Sequence, residues 1–178
     1  AASTINGVDV TSSFSASGTS YSFTYTVQEG EDDRALNALP ISLSLQDAAG
    51  NEVTHTTLAS SPSISATTPT VSGASADPSD GTLKVGQSVT VTLTASESGL
   101  SKGASGSTIN GVDVESTFSA SGSQYSFTYA VLEGHADQAL EDALPISLSL
   151  QDAAGNEVTH TTTLTSSPSI SATTPTVS

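Results

Sequence analysis

Apolar and polar residues alternate in short runs along the chain. In 88–95, Val89, Val91, Leu93 and Ala95 fall on one side and Ser or Thr on the other, the period-two pattern of a half-buried strand. Tyr125, Phe127, Tyr129 and Val131 repeat it, as do Ile146, Leu148 and Leu150. Shorter runs at 112–114, 117–120, 158–164 and 169–172 read the same way. Turn residues separate them: Asn110-Gly111, Ser121-Gly122, Asp-Pro-Ser-Asp-Gly at 77–81 and Asp-Ala-Ala-Gly-Asn at 152–156. No stretch carries a 3.6-residue stripe, although 135–144 has room for one helical turn, which Pro145 would stop. The pattern predicts an all-β chain of short strands.

The pattern also occurs twice. Residues 3–10 recur as 107–114, 38–57 as 143–162, and 60–72 as 166–178, so the offset grows from 104 to 106. Fifty-nine of the first 72 residues meet an identical partner. A period of about 105 residues is the size of one antiparallel β-sandwich. The division expected is 1–68, an incomplete repeat, and 69–178, a complete one, because nothing in 1–72 matches 73–106. Those 34 residues hold the alternating run 88–95. The first repeat is therefore expected to be partial, its open edge filled by another copy of the chain or by residues upstream of this sequence. The uncharged stretch 59–76, with Pro62 and Pro69, is expected to join the repeats without a helix.

Composition narrows the function. Eighteen acidic residues against three basic ones give a net charge of −15, which argues against nucleic acid, since phosphate binding needs clustered Lys and Arg. No apolar run approaches the length of a spanning helix, and no membrane insertion is expected of this stretch. Without Cys there is no disulfide framework and no thiolate metal site. Catalytic constellations are weak. His55 and His160 hold one repeat position among Thr residues, His135 stands where the first copy has Glu31, and no Gly-x-Ser-x-Gly elbow is present. No enzymatic activity is expected.

Ile-Asn-Gly-Val-Asp-Val at 109–114, then Phe118, Tyr-Ser-Phe-Thr-Tyr at 125–129, Val-Leu-Glu-Gly at 131–134 and Leu-Gln-Asp-Ala-Ala-Gly-Asn at 150–156 resemble the bacterial Ig-like repeats of very large secreted surface proteins. Those are the stalk repeats of biofilm-associated and RTX-type adhesins. The Cys pair and core Trp of antibody domains are missing. The resemblance implies Ig-like antiparallel sandwiches in tandem, extracellular or at the bacterial cell surface. It places strands near 71–76, 83–85, 88–95, 108–114, 117–120, 125–131, 146–151 and from 158 to 172, the last interrupted at 166–168.

In that topology the acids gather in loops, where hard cations find ligands. Glu31, Asp32 and Asp33 of the first repeat would face Glu97 and Asp152 of the second across a junction, a repulsive apposition that calcium would relieve. Asp77, Asp80, Glu133 and Asp137, with Glu141 and Asp142, would form the matching acidic end of the second repeat. The plainer reading of Asp47 and Asp152 is that they accept backbone N–H bonds in their own turns.

Two functions fit. The first is a stalk or spacer, its partners the neighbouring repeats of the same polypeptide, with structural calcium at the junctions. The alternative is a carbohydrate- or protein-binding module. Against the latter, Tyr21, Tyr25, Phe23 and Phe14, like Tyr125, Tyr129, Phe127 and Phe118, are expected in the core, which leaves few aromatics for a sugar platform.

Overall fold

The computed structural model describes residues 1–139 and 143–176. Its strands form antiparallel sheets, with one parallel pair, and helical structure among the described residues is limited to single 3-10 turns at Thr11–Ser13 and Glu115–Thr117. The chain divides into two units, Ala1–Thr67 and Thr68–Ser178.

In the first unit, β1 (Thr4–Ile5), β2 (Val8–Asp9), β5 (Ile41–Gln46) and β6 (Glu52–His55) form a sheet in the order β2-β1-β5-β6, and β3 (Ser15–Ser17) pairs only with β4 (Ser20–Ser22). Asn6 and Gly7 take positive φ between β1 and β2, as a two-residue hairpin turn requires. The buried apolar core is small: Ile5, Val10 and Ile41, with Phe23, Tyr25, Leu39 and Leu43 packed against it.

The second unit contains β7 (Val71–Asp77), β8 (Thr82–Lys84), β9 (Ser88–Ala95), β10 (Ser101–Lys102), β11 (Thr108–Ile109), β12 (Val112–Asp113), β13 (Ser119–Ser121), β14 (Gln124–Ala130), β15 (Leu144–Gln151), β16 (Glu157–Leu164) and β17 (Ser169–Ser171). One sheet runs β13-β14-β9-β7. In the other, β15 pairs with β16 along its whole length, and β10 and β11 share its opposite edge. β17 lies parallel to β8. Val89, Val91 and Leu93 face Tyr129, Phe127 and Tyr125 in register, and this row shares one buried cluster with Ile109, Ile146, Leu148 and Leu150 of the second sheet. The alternation therefore drives two sheets together as a β-sandwich.

Two expectations need correction. The strand expected over 108–114 is a hairpin of two-residue strands, because Asn110 and Gly111 turn the chain at positive φ. The aromatics of the first repeat are not a closed core. Tyr21 is 52% exposed and Phe14 46%, whereas Tyr125 is fully buried. In the second unit β9 covers that row, and the first unit has no such strand. The stretch 135–144, with room for one helical turn, shows none over 135–139 and 143–144, while 140–142, Glu141 and Asp142 included, lie outside the described residues.

Candidate functional site

Asp77, expected in a loop, is the last residue of β7, and several of the loop acids accept bonds from main-chain donors. Asp33 accepts from the Ala66 amide at 2.7 Å, and Asp137, at the same repeat position, accepts from the Ala172 amide at 2.6 Å. Glu133 accepts from the Thr174 amide at 3.0 Å and from the Thr174 hydroxyl. These bonds hold its carboxyl below the usual range, against a smaller opposing push from Asp137. Each acidic loop thereby clamps the segment that follows the last strand position of its own repeat.

Asp152 accepts from the Ala154 and Asn156 amides at 2.9 and 2.8 Å and from Asn156 Nδ2 at 2.8 Å. Asp47 makes the same three bonds with Ala49 and Asn51, and its Asn51 side-chain bond leads the causes that lower its pKa. Both carboxylates shape their hairpins. Asp32 pairs with Arg34 at 2.7 Å. Asp77, Asp80 and Glu97 are exposed.

Calcium asks for six to eight oxygens. Among the described residues, no three His, Cys, Asp or Glu side chains are grouped so that they could hold a metal ion.

Three polar positions carry structure that the sequence pattern left unread. Asn6 and Asn110 are buried. Asn6 Nδ2 donates to the Tyr25 hydroxyl at 3.0 Å and to the Asp32 carbonyl at 2.9 Å, while Asn110 Nδ2 reaches the Tyr129 hydroxyl and the Ala136 carbonyl. Beside them, Glu31 and His135 do one job with different chemistry. The Tyr25 hydroxyl and the Gln28 amide both donate to Glu31 Oε2, at 2.5 and 3.0 Å. Burial, and then this bond to an anion, push the Tyr25 phenol up. In the second unit the Leu132 amide donates to His135 Nδ1 at 3.3 Å, with the Tyr129 hydroxyl 3.0 Å from the same nitrogen. Glu157 accepts from the amides of Ala104 and Ser105 at 3.1 and 3.0 Å; a side-chain bond with Ser105, and then these amides, lower its pKa. Glu52, its counterpart, accepts from the Ala1 ammonium at 2.7 Å.

A concavity in the first unit, about 670 Å³, lies over the uncovered aromatics and is lined by Phe14, Tyr21, Phe23, Leu45, Val53 and polar neighbours. At the corresponding positions of the second unit, Tyr125, Phe127 and Leu150 are buried. The comparisons with known proteins add no relative: the chain matches no family model, no curated protein and no solved structure.

Proposed function

We propose that the chain is a structural spacer, a stretch of Ig-like repeats from the stalk of a long extracellular bacterial adhesin. The observation that carries this reading is that the duplicated polar residues serve the scaffold twice over. Asn6 and Asn110, Asp33 and Asp137, and Asp47 and Asp152 make matching bonds to their own repeat's loops and strand ends. A module copied for length needs to repeat its scaffold, not a binding site. The strand order β13-β14-β9-β7 opposite a sheet centred on β15 supports the Ig-like assignment. The net charge of −15 favours extended, mutually repelling arrays.

The exposed Phe14 and Tyr21 do not favour the sugar-binding alternative. Phe118 and Tyr125 at the same repeat positions pack in or against the core, so the exposed pair is core without its cover. Small-angle scattering on one, two and four tandem copies of 68–178 tests the reading. A maximum dimension that grows in proportion to copy number supports a spacer; a compact particle contradicts it. A cation shared between successive repeats belongs to the same proposal. Its test is the melting temperature with calcium and with chelator, and equal values would remove the cation while leaving the spacer.

A further inference from the structure

We infer that each repeat fastens its outgoing end with a carboxylate latch, and that in the second unit this latch sets how fast the unit opens when the chain is pulled. The inference rests on the spacer reading, since only a chain that carries tension loads this segment. In the second unit the outgoing segment is held on both edges. On one side β17 runs parallel to β8, pairing Ser169 with Thr82 and Ser171 with Lys84. The Ser169 amide donates to the Gly81 carbonyl at 2.9 Å, and its hydroxyl to Thr82 Oγ1 at 2.8 Å. On the other side lies the loop 133–138. Gln138 and Ile170 exchange two main-chain bonds at 2.9 and 2.8 Å, and the Gly134 amide donates to the Ala172 carbonyl at 3.1 Å. Past Ile170 the acceptors are carboxylates: Asp137 takes the Ala172 amide, and Glu133 takes the amide and hydroxyl of Thr174.

The loop half of the latch recurs in the first unit. Arg34 and Ile64 exchange bonds at 2.9 and 2.8 Å, the Gly30 amide donates to the Ala66 carbonyl at 2.7 Å, and Asp33 accepts from the Ala66 amide at 2.7 Å. The two loops differ at Glu31 and His135, Asp32 and Ala136, and Arg34 and Gln138, yet they build the same fastening. Geometry decides what a pull does to it. Tension enters beyond Thr174 and runs along the segment, whereas the latch bonds lie across it. They are sheared together rather than opened one after another. The far side of the latch is anchored, because the loop follows β14 through Val131, which is fully buried, as is Ala172 on the outgoing segment. Bonds to a carboxylate are stronger than neutral ones, and forced opening is governed by the unfolding rate. The latch therefore slows opening to the extent that its bonds break at the barrier.

The test stretches the intact chain between its ends at constant force and times the opening of the second unit. Glu133→Ala combined with Asp137→Ala should open roughly tenfold faster, the effect of one charge-assisted bond lost from the barrier. Thr174→Val, at an exposed position, removes only a hydroxyl bond and should open about twofold to threefold faster; it is readable even where the double variant does not fold. Asp152→Ala removes the same kind of bond from a hairpin to which neither end of the unit is attached, and should stay within about twofold of the parent. A discrete step with an unchanged rate in the latch variants would overturn the latch and leave the spacer. Equal acceleration by Asp152→Ala would overturn the latch as a general loss of stability. A parent that lengthens without any step would overturn latch and spacer together.

Discussion

The Tyr129 hydroxyl lies 3.0 Å from His135 Nδ1, with the two rings stacked at 5.5 Å, and it takes the place that the Tyr25 hydroxyl holds against the Glu31 carboxylate in the first repeat. An imidazole and a carboxylate thus answer the same two donors, a phenol and a main-chain amide three residues upstream. Because the Leu132 amide also donates to Nδ1, the ring proton belongs on Nε2. What the two copies share at this position is an acceptor, which residue identity alone does not reveal.

This equivalence can be tested by exchange. His135→Glu should stay within ~0.5 kcal/mol of the parent, while His135→Ala, which strands two donors, should lose about 1 kcal/mol. Denaturant unfolding of the second unit checks both. Equal losses would show that the stacked ring, rather than the acceptor, holds the loop.

Asp137 clamps the residue after β17. Asp137→Ala should speed amide exchange at Ala172 severalfold and loosen the bridge between Gln138 and Ile170, while leaving β9 and β14 unchanged. Residue-resolved exchange by NMR reads this directly. Unaltered exchange at Ala172 would mean that the clamp contributes nothing.

Glu157 gives a pH signature. Its folded pKa is depressed below 4.5 by its side-chain bond with Ser105 and then by the amides it faces, so its contribution is present above the unfolded value and is lost as pH falls through the folded one. Acid also relieves the chain's self-repulsion, and the informative quantity is therefore a difference. Glu157→Gln should melt below the parent at pH 6, and the gap should close below pH 4.5. A gap that is constant, or that widens in acid, would contradict the assignment.

Gly103 is fixed by space rather than by φ. A Cβ there would meet Ser149 Cβ at 2.6 Å and Glu157 Oε1 at 2.7 Å. Gly103→Ala should destabilise the second unit by about 1–3 kcal/mol through overpacking, measured by denaturant unfolding. A change under half of that would mean the loop yields freely.

The long alternating runs were legible: β9, β14 and β15 fall on 88–95, 124–130 and 144–151, because large β-formers on one face leave little choice of register. The fate of Tyr21-Ser-Phe-Thr-Tyr25 was not, since an identical pentapeptide is strand in one unit and mostly irregular in the other. That difference lives in a tertiary partner, not in local propensity. The acidic loops were legible as charge, but their partners were not. The donors Ala66 and Ala172 lie 33 and 35 residues downstream, and they are main-chain groups that no side-chain pattern marks. Asn110 announced a turn; its burial beneath Tyr129 required the folded loop.

Stretching the intact chain between its ends tests the spacer account most directly. If the second unit is a mechanical module, it should resist and then open in a single all-or-none step. Releasing residues 68–178 at ~3.3–3.6 Å per residue would give a contour gain on the order of 350 Å. Smooth lengthening at low force, with no discrete step of that size, would contradict it.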